Sequence, residues 1–543
     1  MLLSRKPHIA RSTGAAGVLT LLLLSAACTD LTEVPASSIT PDHFYSNETE
    51  ALGGLASVYA QLRATNGDYY NVTEVSTDEM IVPTRGTDWY DNGTWLDLHH
   101  QSWTANSPSA LANINGAWIA LFNGVARANV VIAGLQPVNF ATKPVILAEL
   151  RTLRAYYYYL LMDMFGGVPI VCPDTGNPSC TGIQIVERER NTRAEVFKFI
   201  EDELIAARAT LPDNWPANMN GRLTKGAADA ILASMYLNAE VWTGTVTAAG
   251  LQKGTNRWQD AVTVSDRILN SGQYALATDA SVGCTSAPGC GWRSNFRADN
   301  GKSLENIMVI KYLNQPGLGL VFVMESLHYN QYSGGETPWN GFSTLADTYN
   351  SFDPADQRRQ IFLAGPQVNQ VTGLPVTDRA GTPLVFDPVI VDDTKAAENI
   401  GVRIVKWPVD PAHLDRENGN DFATFRLAEI YLIKAEALNE LSAANAPAAV
   451  ALINTVRARV FSPPKPLSTA LTQAQVRDAI LKERLFELTD EAKRRQDLIR
   501  GGKYNTPWAF KDAASLTQFY RILMPIPLTQ LETNPKLAQN AGY

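Results

Sequence analysis

The sequence predicts a mostly α-helical fold of tetratricopeptide-like helical hairpins, interrupted by an irregular, loop-rich region with short strands. Three observations predict it. Apolar residues recur at helical spacing at both ends of the chain, and short loops join successive amphipathic segments. Between residues 281 and 420 that periodicity gives way to Gly, Pro, Asn and aromatic residues with only brief apolar runs.

Helical spacing covers 49–62 and 113–135, then a longer helix over 146–165 that carries Tyr156, Tyr157, Tyr158 and Tyr159. Four consecutive tyrosines point around the whole circumference of a helix, so most of them belong to the core. Gly166-Gly167 and Pro169 stop it. Further helices are predicted over 193–210, 225–242 and 258–271. In the last third Ile430, Ile433, Ala437 and Leu441 line one face, and after Asn445 and Pro447 a second face is formed by Ile453, Val456 and Val460. The short loop between them makes an antiparallel hairpin. A third helix opens with Thr472-Gln473-Ala474-Gln475, the pattern of a capping box, although no strict repeat of about 34 residues is legible.

The amino terminus is of another kind. Arg5, Lys6 and Arg11 precede an apolar run over 15–24 that ends in Ser25-Ala26-Ala27-Cys28. The run is too short for a bilayer core of roughly 30 Å, so residues 1–27 are predicted to be a secretory signal. The small residues before Cys28 resemble a lipobox, with Ser25 where Leu is usual, which predicts Cys28 as the lipid-modified first residue of the mature chain. No later window holds about 18 uninterrupted apolar residues. The signal contains three cations and no acids, so its removal from a chain of 46 basic and 54 acidic residues leaves a net charge of about −11. Such a chain is a poor match for nucleic acid, whose binding rests on phosphate neutralisation.

The four remaining cysteines form two close pairs, Cys172 with Cys180 and Cys284 with Cys290, each in a Pro/Gly/Ser-rich segment. In an exported chain this predicts local disulfides. The competing zinc reading is weaker, because the spacings are not those of zinc ribbons and no histidine lies near in sequence.

The segment 78–103 interleaves Trp89, Tyr90, Trp95 and Trp103 with Asp88, Asp91, Asn92 and Asp97. Flat aromatic faces stack on the apolar faces of sugar rings while carboxylates and amides fix hydroxyls, so Asp88, Trp89, Tyr90, Asp91, Asn92 and Trp95 are candidate ligand residues. Trp292 and the Pro338-Trp339-Asn340-Gly341 turn are weaker candidates of the same kind; the competing reading of each aromatic is core or lid packing. His99-His100 lacks a third metal ligand, and 415–421 does not fit an EF-hand loop. Glu483 and Glu487 beside Arg484, Arg494 and Arg495 suit a structural ion-pair cluster. No Gly-x-Ser-x-Gly, His-Glu-x-x-His or phosphate loop occurs, so no catalytic residue, metal or cofactor is predicted, and a hydrolase using unpaired carboxylates is the less favoured alternative.

Several motifs resemble, in order, those of the RagB/SusD nutrient-uptake lipoproteins. They are Leu153-Arg154-Ala155-Tyr156-Tyr157 with Asp163-Met164-Phe165-Gly166-Gly167-Val168-Pro169, then Gly221-Arg222-Leu223-Thr224-Lys225-Gly226-Ala227-Ala228, then Phe425-Arg426-Leu427-Ala428-Glu429 through Asn439, Ile453-Asn454-Thr455-Val456-Arg457-Ala458-Arg459, and the ending Met524-Pro525-Ile526-Pro527 through Tyr543. One departure stands out: Glu491-Ala492-Lys493-Arg494-Arg495 replaces the family's Glu-Gly-x-Arg-Trp. The resemblance implies four tetratricopeptide-like hairpins as scaffold. It divides the chain into the signal 1–27, a helical part 28–280, a ligand-surface region 281–420 and helical hairpins with a tail at 421–543. It further implies an outer-membrane lipoprotein facing the exterior, an oligosaccharide or alternatively a peptide as ligand, and a SusC-like TonB-dependent transporter as partner.

Overall fold

The computed structural model describes residues 45, 47–107, 109–173, 180, 182, 187–284 and 289–543. The predicted signal and Cys28 lie outside the described residues. Helices α1 (Glu48–Gln61), α2 (Asp68–Val75), α3 (Thr94–His100), α4 (Leu111–Gly134), α5 (Lys143–Phe165), α6 (Arg193–Arg208), α7 (Lys225–Leu237) and α8 (Trp258–Leu269) occupy the first half. The short α9 (Phe322–Ser326) lies in the irregular region, and α10 (Leu427–Leu441), α11 (Ala446–Arg457), α12 (Gln473–Leu488) and α13 (Arg494–Arg500) follow it. Each long helix packs on the next: α4 on α5, α5 on α6, α6 on α7, α7 on α8, α8 across to α10, and α10 on both α11 and α12. This is the stack of helix pairs that the periodicity predicts, because an amphipathic helix buries its stripe only against a neighbour.

The caps are those the local chemistry dictates. Thr472 closes a capping box with Gln475 at the start of α12, and Thr192 does the same with Glu195 at the start of α6. All four tyrosines of α5 are buried, with Tyr157 donating to the Val58 carbonyl at 2.8 Å and Tyr159 sharing a 2.9 Å hydrogen bond with Ser234. Tyr157 fits because Gly124 of α4 has no side chain; a Cβ there would lie 2.4 Å from the ring. The predicted 225–242 helix is broken at Asn238, whose amide donates to the Ser234 carbonyl at 2.9 Å and ends α7 at Leu237. By length and composition α4 could cross a membrane, yet its apolar stripe of Ile114, Trp118, Leu121, Val125 and Ile132 is buried in the protein core.

Strands are short. β1 (Thr245–Thr247) and β2 (Gly250–Gln252) form a hairpin, and β3 (Asn306–Ile310) pairs antiparallel with β9 (Phe422–Arg426). β8 (Val402–Ile404) sits between β4 (Ser343–Thr344) and β5 (Phe362–Leu363), and β6 (Gly365–Pro366) pairs with β7 (Val385–Phe386). Both predicted disulfides are present, Cys172 to Cys180 and Cys284 to Cys290, with Cα atoms 5.0 and 6.2 Å apart.

Where the irregular region meets α12, a buried ionic cluster holds the two together. Arg358 pairs with Glu483 at 2.7 Å and with Glu487 at 3.0 Å, and Arg426 bonds Glu305 at 2.7 Å and Glu487 at 3.0 Å. The surrounding guanidinium groups hold the Glu487 carboxyl far below the usual carboxylate range despite its burial. The departure at 491–495 is also explained. Arg495, standing where the family has Trp, is fully buried; it pairs with Asp163 at 2.9 Å and donates to the Ile522 carbonyl at 2.5 Å. Ala492, standing where the family has Gly, keeps the left-handed backbone at φ 57°.

Candidate functional site

The 85–93 loop is built from a tight turn and a run of left-handed residues. Arg85 and Asp88 exchange backbone hydrogen bonds of 2.9 and 3.0 Å. Trp89, Asp91 and Asn92 then adopt φ of 63, 39 and 57°, followed by Gly93 at 82°. Such conformations are strained for residues with a Cβ, and such strain gathers at binding sites. They turn Tyr90 outward, to 56% exposure, and Trp89 inward. The Trp89 indole packs edge-on against Trp95 and Phe342 with centroids 5.4 and 5.5 Å away, and its Nε1 donates to the Trp339 carbonyl at 2.5 Å. Trp95 is 8% exposed, its Nε1 bound to Asp91 Oδ2 at 2.6 Å.

The second wall is the 338–342 turn, laid along α9. The backbone N–H groups of Trp339, Asn340 and Gly341 donate to the carbonyls of Met324, Leu327 and Glu325 at 2.6, 2.9 and 2.7 Å. Gly341 is obligatory here, since a Cβ would stand 2.2 Å from the Trp89 ring. Trp339 is half-buried, with Nε1 donating to Glu336 at 2.9 Å. Asn340 is buried and braces the turn: its Nδ2 donates to the Glu398 carbonyl at 3.0 Å and its Oδ1 accepts from Arg403 at 2.7 Å.

A third group was missed by sequence reasoning. Tyr329 donates its hydroxyl to Asp88, and the exposed Arg379 lies over the Tyr329 ring, 4.1 Å from its centroid. Arg379 is pinned by Glu398 at 2.8 Å. Burial and the Asp88 carboxylate push the Tyr329 phenol up to about 12, so it stays a neutral donor. Burial pulls the neighbouring His328 imidazole down to about 4, leaving it uncharged at neutral pH. Beneath them Arg85 and Arg403 are buried on neutral acceptors, Arg85 on the Ala397 carbonyl at 2.6 Å and Ser343 Oγ at 3.1 Å. Neither Tyr329, in an aromatic-rich run, nor Arg379, in an Asp-Arg-Ala-Gly turn, carries a sequence signal linking it to position 88.

The structure thus brings Asp88, Trp89, Tyr90, Asp91 and Trp339 to one surface, with Asn92 exposed on the same loop. Trp292 is a correction. It is fully buried, its Nε1 donating to Glu487 at 2.9 Å and its ring against Phe296, so it has no face for a ligand. Trp95 and Asn340 are likewise corrected from contact residues to supports, because their polar atoms are spent inside the protein. His99 is buried between the Met80 and Ala509 carbonyls, and His100 pairs with Asp393 at 2.6 Å.

Comparison with known proteins sets this arrangement in context. The SusD family signature matches residues 251–543, and a second one, described as starch-binding and associating with the outer membrane, matches 43–237. The chain belongs to the SusD family. Relatives include the SusD-like protein P25 of Formosa agariphila, 25% identical over 94% of this chain and 96% of that one. The starch-binding protein SusD of Bacteroides thetaiotaomicron is 24% identical over 91% and 89%. Among solved structures, a SusD-like protein of Bacteroides fragilis superposes with a TM-score of 0.72 at 19% identity, covering 92% of this chain and 98% of its own. A laminarin-binding SusD-like protein does so with a TM-score of 0.65 at 23% identity, covering 92% and 100%. These likenesses establish the helical SusD-like fold.

Proposed function

We propose that this SusD-family protein captures an oligosaccharide at the cell surface on the face formed by Asp88, Trp89, Tyr90, Tyr329, Trp339 and Arg379, without turning it over. The observation that carries this reading is the convergence of three distant segments on one aromatic surface rimmed by carboxylates and one guanidinium, held in strained backbone. Tyr90 and the exposed edges of Trp89 and Trp339 supply apolar stacking, while Asp88 and Arg379 offer an acceptor and donors for vicinal hydroxyls. The names of the relatives, starch-binding and laminarin-binding, support a glycan as the ligand class.

In this reading the region 281–420 supplies most of the ligand surface and the 78–103 segment completes it. A lipid on Cys28 holds the protein to the outer membrane, facing outward, and the captured glycan passes to a SusC-like TonB-dependent transporter. Calorimetry with starch and laminarin oligosaccharides tests capture: saturable binding that Tyr90→Ala weakens supports it, and identical binding by that variant refutes the assigned face. Extraction from the native membrane in mild detergent tests the partner, which should co-purify as a much larger β-barrel protein; repeated crosslinking that recovers only the lipoprotein overturns the hand-over.

A further inference from the structure

A cavity of about 220 Å³ lies between the 213–224 loop that leads into α7, the turn at Gln273-Tyr274 and strand β3. It shares no lining residue with the Trp89 face. Drug-sized ligands occupy pockets of roughly 300 Å³ and more, so this one suits a ligand of about one sugar ring. One wall is the half-buried indole of Trp215, which is fixed on two sides. Its Nε1 donates to the Leu223 carbonyl at 2.8 Å, and the Arg222 guanidinium stacks 3.8 Å from its centroid while reaching Glu149. With its only polar atom satisfied, the ring presents apolar surface alone.

Around it the polar lining is dominated by amides. Asn214, Asn220, Gln273 and Asn306 come from three segments separated by up to about 90 positions, while the buried Asn300 spends its amide on the Asn295 and Asp421 backbones and supports the wall. Asn214 and Gln273 bond to each other at 3.1 Å through one donor and one acceptor, which leaves the Asn214 carbonyl and a Gln273 donor for a guest. The nearby charges are largely cancelled, Arg222 by Glu149 and Asp213 by Lys225 at 3.1 Å, with Lys302 at the rim. Amides that both donate and accept, beside one rigid aromatic, match the alternating donors and acceptors of sugar hydroxyls.

We propose that this cavity is a second saccharide site, which takes a single neutral sugar residue independently of the Trp89 face. A second contact of this kind gives a long glycan two points of attachment and raises its avidity without tightening either one.

Fluorine NMR of protein labelled with 5-fluorotryptophan reads both places at once, since each of the 11 tryptophans gives its own resonance. Trp215→Phe and Trp89→Phe assign the two signals. The probes are glucose, galactose, mannose, xylose and N-acetylglucosamine, with glucuronate as the anionic control and laminarihexaose as the longer chain. At least one neutral probe shifts the Trp215 resonance saturably, and the shift persists in Tyr90→Ala. Ala217→Phe, at an exposed position of the rim, fills the cavity and weakens that response about tenfold or more. A Trp215 signal that moves with no probe, or with glucuronate alone, overturns the second site. A Trp89 signal that stays still while Trp215 responds counts against the primary face alone.

Discussion

The indole nitrogen of Trp89 donates to the backbone carbonyl of Trp339 at 2.5 Å, joining two loops that stand 250 positions apart in the chain. The bond makes Trp89 a strut of the surface as well as part of it. Tyr90, one residue on and 56% exposed, has the opposite character.

The two neighbours should therefore separate by mutation. Tyr90→Ala removes a stacking face worth on the order of 1 kcal/mol at about 25 cal/mol per Å², so affinity for the bound oligosaccharide should fall several-fold with the melting temperature unchanged. Trp89→Ala should lower both, costing about 2–3 kcal/mol of stability because the ring is half-buried and the Trp339 turn loses its tie. Calorimetry paired with a melting curve checks both. A Trp89→Ala protein that melts as wild type would show that the strut carries no load.

Much of the scaffold was legible and less of the surface. The capping box at Thr472 and the burial of Tyr156 to Tyr159 follow from local chemistry, which a sequence displays directly. The aromatic and acidic composition of 88–92 is also plain in the sequence. The direction of each side chain is not, because the left-handed backbone at Trp89 exchanges inside for outside, and helix or strand periodicity has no term for it. Trp292 was misjudged because its partner Glu487 lies 195 positions away. Tyr329 and Arg379 were missed for the same reason: their relation to Asp88 exists only after folding.

At Ala492 the chain keeps a glycine conformation without the glycine. A left-handed residue with a Cβ is disfavoured by roughly 1–2 kcal/mol, while glycine costs about 0.4–1 kcal/mol through the freedom it gives the unfolded chain. Ala492→Gly should thus stabilise the protein by up to about 1 kcal/mol and raise its melting temperature slightly. Arg495→Trp, restoring the other family residue, should destabilise instead, because it leaves the buried Asp163 carboxylate without its cation. Denaturant midpoints of the two variants are the measurement, and opposite signs are expected.

The proposed membrane anchor rests on the signal at 1–27 and on Cys28. Several acyl chains hold a protein stably at about 0.8 kcal/mol per buried methylene, a hold that a chain without them lacks. Cys28→Ala should abolish labelling by a palmitate analogue and move the protein from the membrane pellet to the soluble fraction. Unchanged labelling would refute the assignment.

The last expectation concerns pH and rests on acids buried where the 489–492 turn meets α2. Asp490 accepts a hydrogen bond from the Tyr70 hydroxyl, the Asp490 N–H donates to Glu79, and the Ala492 N–H donates to Glu74. Burial pushes the Asp490 carboxyl up to about 8 and that of Glu79 up to about 7, and raises Glu74 as well. Facing cations, Lys406 for Asp490 and Arg494 for Glu79, only partly offset this. A carboxyl whose folded value lies above its unfolded one, near 4, binds its proton more tightly in the native state. Its contribution is complete below about pH 4 and is lost as pH rises through the folded value, so the part of the stability that these acids supply should decline from about pH 5 to about pH 9. Asp490→Asn is the informative variant: asparagine tolerates the φ of 71° at this position and keeps an acceptor for Tyr70, but carries no proton to lose. Melting curves across that range should show a flatter decline for the variant, which should be the more stable protein at the alkaline end. Parallel curves for the two proteins would mean that Asp490 stays ionised in the folded state throughout.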